Sequence, residues 1–391
     1  MNGRLKNTVF LSDTKLVTGS GAVDFLEDDL KEGGHKNILI ITDKGIKSSG
    51  ILEKVTTIID KTDVNILGVF DEVQPNPSVS SANETTEKYS NQNIDAIVAV
   101  GGGSVLDFSK SIALLLTNGG SIADYFGFDK VPEESIPLYA VATTVGTGSE
   151  AGHAAVLTEN TTDLKTKELV IDRKIFPKVA YLDGSLLTGM PGKLVASTGM
   201  DALTHAIESY VSRNGSHVTD ALNLHAVKII GETIPVATAH TNNEEAMNKM
   251  IQASTSTGIA MSNAGLGLVH GISHAVGAQY DAPHGVVNAI LLPYVLEYNW
   301  IANPQKFADI ANALRINTWG KSVEESAKLA VERVSELTRE VGIPQTLGEI
   351  GVDKEKIDVL ADIAINDDLY MGANPRRVTR EDIVKILERA I

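Results

Sequence analysis

The sequence predicts a chain of two parts, α/β in its N-terminal half and all-helical in its C-terminal half. Three observations carry that prediction. Short β-branched runs alternate with helical spacing in the first half, strand character stops after Leu182 and Asp183, and 391 residues are more than one ordinary core accommodates.

The segments NILIIT (37–42), VNILGVF (64–70), DAIVAV (95–100) and PLYAVATT (137–144) are short, apolar and continuous, the pattern of strands buried on both faces. Between them, ILEKVTTIIDKT (51–62) and SVSSANETTEKYSNQ (78–92) carry helical spacing, so repeated βα units and a doubly wound parallel sheet are expected. From LLTGMPGKLVASTGMDALTHAIESYVS (186–212) onward only helical patterns follow. The seam is expected near Gly184 to Gly189, ahead of Pro191, a residue suited to a helix's first turn. This divides the chain into 1–186 and 187–391 with a cleft between, where cofactor and substrate usually meet. No internal repeat, low-complexity tract or long linker interrupts it.

Composition narrows the chemistry. No run of about 18 apolar residues is present, so no membrane span is expected. The opening MNGRLKNTVFLSDTK has neither the apolar segment nor the cleavage site of a secretory signal, which makes the expected location cytoplasmic. The absence of cysteine excludes disulfides, thiolate nucleophiles, zinc–thiolate sites and iron–sulfur clusters, leaving nitrogen and oxygen donors for any metal. A net charge of −16 disfavours nucleic acid and anionic lipid, so small-molecule partners are expected.

Two glycine-rich turns stand out. Gly101-Gly102-Gly103-Ser104 follows the strand DAIVAV and leads into the apolar helical run VLDFSKSIALLL. Residues without side chains at a strand-to-helix turn let the backbone approach a pyrophosphate, and the helix N-terminus favours negative charge. The second, Gly146-Thr147-Gly148-Ser149-Glu150-Ala151, formally fits the dinucleotide fingerprint. It follows the fourth strand rather than the first, however, and HAAVLTE after it reads as strand rather than helix, so the fingerprint is rejected. Thr143, Thr144 and Thr147 remain hydroxyl donors for a cofactor. Asp43, at the end of the first βα strand, stands where a carboxylate bonds a ribose 2′-OH and repels a 2′-phosphate, favouring NAD over NADP. A helix cap for the segment from Lys44 is its plainer role.

Asp201 and His205 lie four residues apart in a helical run, so both leave one face. In VHGISHAVGAQYDAPHG, His270 and His274 repeat that spacing and His284 lies beyond a Tyr-Asp-Ala-Pro turn. Imidazoles with a carboxylate suit Fe²⁺, Zn²⁺ or Mn²⁺ and not Mg²⁺ or Ca²⁺. Spacing leaves open whether His274 or His284 is the fourth ligand. His35, His217, His225 and His240 sit in polar or loop-like contexts and His153 in the strand after GTGSE; these five are read as structural.

With GGGSVLDFSK, ATTVGTGSE, TGMDALTHAIESYVS and HGISHAVGAQYDAPHGVVNAILLPYVLEYN in that order, the chain resembles the iron-containing (group III) alcohol dehydrogenases over nearly its whole length. The resemblance implies a Rossmann-like N-terminal domain and a helical C-terminal domain, an arrangement shared with dehydroquinate synthases, and at least a dimer. It assigns the metal, Fe²⁺ first, to Asp201, His205, His270 and His284, and leaves His274 near the substrate as a proton-relay or positioning residue. For the cofactor it implies Asp43, Asn76, Gly102, Gly103, Ser104, Thr143, Thr144, Thr147 and Lys167. After GTGSE the chain reads AGHAAVLTE where the family commonly has a Val-Thr pair and bulkier residues, so contacts around nicotinamide and substrate do not carry over.

The implied activity is metal-dependent, NAD(P)-linked interconversion of a small alcohol, diol or hydroxyaldehyde with its carbonyl partner, by direct hydride transfer. The rivals are a dehydroquinate-synthase-like or glycerol-dehydrogenase-like relative and a non-catalytic metal- or nucleotide-binding protein. The PHGVVNAILLPYVLEYN segment favours the alcohol dehydrogenases.

Overall fold

The computed structural model describes residues 8–160, 165–280 and 282–391; the first residues of the N-terminal segment read above, and Asp281 of the Tyr-Asp-Ala-Pro turn, lie outside them. The chain opens with β1 (Lys15–Thr18) and α1 (Leu26–Gly33). Three βα units follow: β2 (Asn37–Ile41) with α2 (Lys44–Ser49) and α3 (Ile51–Ile59), β3 (Asn65–Phe70) with α4 (Val79–Tyr89), and β4 (Ala96–Gly101) with α5 (Gly103–Asn118). Next come β5 (Gly127–Phe128), β6 (Leu138–Ala142), β7 (Ala154–Glu159), β8 (Thr166–Ile171) and β9 (Val179–Leu182).

Six strands form one parallel sheet in the order β1-β9-β6-β4-β2-β3. Its central strands read as continuous apolar runs because both faces are covered. Leu39, Ile41, Ile97 and Ala99 point into one core, while Ile38, Ile40, Ala96, Val98 and Val100 point into the other. The four strands expected from sequence are β2, β3, β4 and β6, but β3 is an edge strand pairing with β2 alone and is alternately exposed rather than buried on both faces; HAAVLTE contains β7. Strands β1 and β9 were not legible, being only four residues long; β1 is a largely exposed edge strand that pairs with β9 alone. A second small sheet, β5-β8-β7, in which β7 and β8 are antiparallel, stands beside the first.

Among the described residues, only helices follow β9: α6 (Gly192–Val211), α7 (His217–Ala239), α8 (Glu244–Ala264), α9 (Leu268–Tyr280), α10 (His284–Asn299), α11 (Pro304–Ala313), α12 (Val323–Glu340), α13 (Ile357–Ile365), α14 (Asp368–Ala373) and α15 (Arg380–Ala390). Pro191 is the residue that caps α6. From Val195 to Val211, α6 is buried almost without interruption, apolar on nearly every side and hence central to its bundle. Its core continues into Ala142, Ala180 and Leu182 of the sheet and Val145 of the turn after β6, so helices and sheet share one interior. None of these helices is long and apolar enough to cross a membrane.

A candidate metal centre beside a nucleotide cleft

Helix α6 presents Asp201, His205 and Glu208 at i, i+4 and i+7, one continuous face. His270 enters from the first turn of α9 and His284 from the first residue of α10. The donor atoms of Asp201, His205, His270 and His284 all lie within 4.8 Å of one another. Asp201 Oδ1 is 3.7 Å from His205 Nε2 and 3.8 Å from His284 Nε2, and the His205 and His270 rings stack with centroids 4.8 Å apart.

Surrounding groups decide which ring nitrogen of each histidine faces inward. His205 Nδ1 donates to the carbonyl oxygen of Gly146 at 3.2 Å, and His270 Nδ1 donates to Glu208 Oε2 at 2.6 Å. Glu208 also accepts from the backbone N–H of Val269 at 2.6 Å, holding the start of α9 against α6. With both Nδ1 atoms protonated, the Nε2 lone pairs turn toward the shared centre, as metal-ligating imidazoles with a carboxylate or carbonyl behind them do. Burial pushes the His205 ring below its usual range; nearby Asp201 opposes that shift. His284 lies well below it, through burial and then the charge of Lys167. Three imidazoles and one carboxylate with converging donor atoms, all but the half-buried His284 buried, fit a divalent first-row ion.

His274, one turn beyond His270 on α9, is buried but is not among the four converging donors. Its ring lies 5.3 Å from that of His284 and edge-on to Tyr370 at 5.0 Å, and its Nδ1 has no partner among the described residues. Burial, then Lys167, holds it well below the usual histidine range.

Two cavities meet at this cluster. The larger, about 1120 Å³, runs along the C-terminal ends of the parallel strands and is lined by Asp43, Gly102, Gly103, Ser104, Thr143, Thr144 and Thr147. Ligands of open α/β sheets bind in that position. Gly102 caps α5, a 16-residue helix whose first residues Gly103 and Ser104 line the cavity. A Cβ on Gly102 would stand 2.7 Å from Thr144 Cγ2, and one on Gly103 would stand 2.5 Å from Thr147 Cγ2, so the packing at the start of α5 leaves no room for a side chain at either position. Thr143 Oγ1 is buried without a partner among the described residues. Asp43 caps α2, its carboxylate accepting from Ile46 N at 2.9 Å, and also lines the cavity, so its plainer role and its exposure to a ligand coexist.

The smaller cavity, about 540 Å³, contains Asn76, Lys167 and His274, so the residues expected at the cofactor divide between the two. Gly103, Ser104, Thr147, Asp201 and His284 border both. Asn76 has φ 56°, a left-handed conformation that asparagine tolerates.

Several residues of the site were missed in the sequence. Glu208 and Asn288 stand behind the ligands, and each repeats helical spacing from one of them, Glu208 at i+3 from His205 and Asn288 at i+4 from His284. Asn288 Nδ2 donates to Asp201 Oδ1 at 2.7 Å. Lys110 is fully buried on α5, donating to Ser149 Oγ and the Ala154 carbonyl, both at 2.8 Å; burial lowers its pKa. His153, read as structural, precedes β7 rather than lying in it and borders the smaller cavity with Gly152 and Ala154. The departure from the family pattern after GTGSE therefore falls on the cavity wall. His217 and His225 lie in α7 rather than in loops, because Ser216 caps that helix ahead of them.

The chain matches known proteins over its whole described length. Residues 13–184 match the family described as iron-containing alcohol dehydrogenase, and residues 195–391 match the C-terminal region of the Fe-containing alcohol dehydrogenase family. It is 39% identical over 384 residues to the NAD-dependent methanol dehydrogenase of Bacillus methanolicus, covering 98% of this chain and 100% of that one. It is 39% identical over 390 residues to lactaldehyde reductase of Escherichia coli (strain K12), covering 99% and 100%. A crystal structure of 1,3-propanediol oxidoreductase superposes with a TM-score of 0.95 at 35% identity, covering 99% of this chain and 100% of that one.

Proposed function

The chain belongs to the iron-containing alcohol dehydrogenase family, and we propose that it is a metal-dependent, NAD-linked enzyme interconverting a small alcohol, diol or hydroxyaldehyde with its carbonyl partner. It is an NAD(P)-linked oxidoreductase acting on CH–OH groups. One observation carries the more specific reading: a strand-end cavity with a glycine cradle and a second cavity meet at a cluster of three histidines and an aspartate, buried except for the half-buried His284.

In this reading residues 1–186 hold the dinucleotide and residues 187–391 hold the metal and the substrate. When bound, the ion would supply Lewis acidity toward the substrate oxygen and the nicotinamide the acceptor or donor of hydride. Asp201, His205, His270 and His284 hold the ion, for which Fe²⁺ is the first choice and Zn²⁺ or Mn²⁺ also suit the donors. Glu208 and the Gly146 carbonyl keep His270 and His205 in the tautomer that offers Nε2. Gly102, Gly103 and Ser104 receive the pyrophosphate at the start of α5, and Asp43 bonds the ribose and disfavours a 2′-phosphate. Asn76, Thr143, Thr144, Thr147 and Lys167 contact the remainder of the nucleotide. His274 passes on the hydroxyl proton rather than retaining it, since burial and Lys167 keep its ring neutral.

The test is anaerobic reconstitution with Fe²⁺ followed by a panel of alcohols with NAD and aldehydes with NADH. Net NADH formation from simple alcohols is expected, with NADP less effective; no turnover across the panel would overturn the reading. His274→Ala should slow turnover with metal content unchanged, and loss of the metal would instead make His274 a ligand. A cytoplasmic homo-oligomer, at least a dimer, completes the proposal and is checked by cell fractionation and sedimentation velocity.

A further inference from the structure

We propose that Tyr370 is a specificity-determining residue of the smaller cavity, its phenol hydroxyl hydrogen-bonding a second oxygen of the substrate, on the carbon next to the reacting one or one further along. The inference rests on the reading of that cavity as the place where a small alcohol or aldehyde meets the metal centre.

Tyr370 stands in α14, which Asp367 caps by accepting from Tyr370 N at 3.4 Å. Directly after that helix, Asn374 Oδ1 accepts from Leu268 N at 3.3 Å and from Asn299 Nδ2 at 2.8 Å, tying α14 to the start of α9 and the end of α10. A Cβ on Gly271 would stand 2.5 Å from Met371 Cε and 3.3 Å from Tyr370 Cβ, so α14 lies directly against α9 beside His270. The Tyr370 ring consequently sits edge-on to His274 at 5.0 Å between centroids and 6.1 Å from His270. A side chain fixed in this way is a preorganised contact rather than an adaptable one.

Its hydroxyl is left without a protein partner. Tyr370 borders the smaller cavity together with His270, His274 and His284. The phenol oxygen bonds none of the described residues, yet it is not sealed in as Thr143 Oγ1 and His274 Nδ1 are, so the 3% exposure that Tyr370 keeps opens into the cavity. Buried phenols ordinarily find a hydrogen-bond partner, and here a ligand is the one available. Two other polar side chains of the cavity are already committed, Lys110 to Ser149 and Ala154, and Asn263 to Leu11 and Ile259. In the proposed reading the reacting oxygen faces the four converging donors and its proton goes to His274, which leaves Tyr370 for another polar group of the same molecule. A phenol is a donor throughout the neutral range, and burial raises its pKa further. A substrate lacking the second oxygen would leave that donor unpaired and be disfavoured by about tenfold, the worth of one neutral hydrogen bond. The substrate class is therefore a short diol or hydroxyaldehyde rather than a simple alcohol.

The test uses the full chain reconstituted with Fe²⁺ and compares propan-1-ol with propane-1,2-diol and propane-1,3-diol, which share a chain length and differ in the second hydroxyl. Wild type is expected to oxidise one of the diols with kcat/KM about tenfold above propan-1-ol. Tyr370→Phe removes only the oxygen and keeps the ring against His274; it should erase that margin through KM and leave propan-1-ol within about twofold of wild type. Titrating the enzyme–NADH complex with the preferred diol, followed by nicotinamide fluorescence, should show a Kd about tenfold weaker in the variant, a readout that needs no turnover. Equal losses for diol and propan-1-ol would overturn the proposal by placing the hydroxyl on the reacting oxygen or the proton path. No loss for either would overturn it by making Tyr370 a packing ring alone. Wild type that turns over propan-1-ol as well as both diols would also sink it, whether or not Tyr370→Phe folds. Turnover confined to simple alcohols refutes this inference and leaves the dehydrogenase reading standing, whereas no turnover of any alcohol takes both down.

Discussion

The candidate nucleotide cleft and the candidate metal centre touch at Gly103, Ser104, Thr147, Asp201 and His284, yet they are made of different material. The cleft is chiefly backbone and small side chains on turns at the ends of β2, β4 and β6, where what matters is the space that Gly102 and Gly103 leave. The metal centre consists of large polar side chains on three helices, buried together and aligned by Glu208, the Gly146 carbonyl and Asn288. Loops at strand ends tolerate exposed backbone N–H groups that a ligand can take up. Buried imidazoles tolerate no such slack, because each unpaired polar atom in the interior carries a desolvation cost. The cleft should therefore fail by steric filling, and the metal centre by loss of a partner.

The largest expected effect lies in the metal centre. His270→Ala removes a donor and strands Glu208, so bound metal should be lost. Turnover should fall on the order of 10³-fold, the equivalent of several kcal/mol of transition-state stabilisation. Metal analysis beside NADH-coupled assays checks this; a metal-free variant with wild-type turnover would break the comparison. Glu208→Gln keeps the shape and removes the charge behind His270, and should weaken metal affinity about 10- to 100-fold without touching the ligand set.

In the cleft, Gly102→Ala would bring a Cβ within 2.7 Å of Thr144 Cγ2. A methyl-bearing side chain can yield partly, so the cost should sit near the lower end of overpacking, about 1 kcal/mol, read as NADH affinity weakened about fivefold with metal content unchanged. Loss of metal in this variant would show that the two regions are not separable.

The smallest effect concerns His153 on the cavity wall, whose pKa is pushed down to about 4 by burial and then by Lys110. The unfolded chain takes up a proton near pH 6.5 that the folded chain refuses, so stability is lost as pH falls below that value. About 1 kcal/mol should disappear between pH 7 and 5.5. Urea unfolding at the two pH values measures the loss, and His153→Phe should reduce it. An unchanged slope would remove His153 as its source.

Legibility followed the same division. Strands β2, β4 and β6 were readable because burial on both sheet faces forces continuous apolar runs, and the edge strand β3 by its β-branched and aliphatic residues although it is half exposed, whereas β1 and β9 are too short to show a period. Lys110 was invisible as a site neighbour because nothing along the chain tells that a lysine on α5 reaches Ser149. Glu208 and Asn288 were legible in principle, one helical turn from a candidate ligand, but helical spacing repeats at many positions that carry no function.

From the sequence alone came the βα alternation and its end near Leu182, the restriction to nitrogen and oxygen donors, and the shared helix face of Asp201 and His205. Those are properties of composition and of distances within one element, which the backbone period dictates. The sequence did not decide by spacing which of His274 and His284 joins the other donors. The fold brings His284 to the cluster by setting the first turn of α10 against α6, an approach so close that a Cβ on Gly285 would stand 2.4 Å from the Ser197 carbonyl oxygen. Contact across elements depends on how helices pack, and packing is a property of the whole chain rather than of any stretch of it.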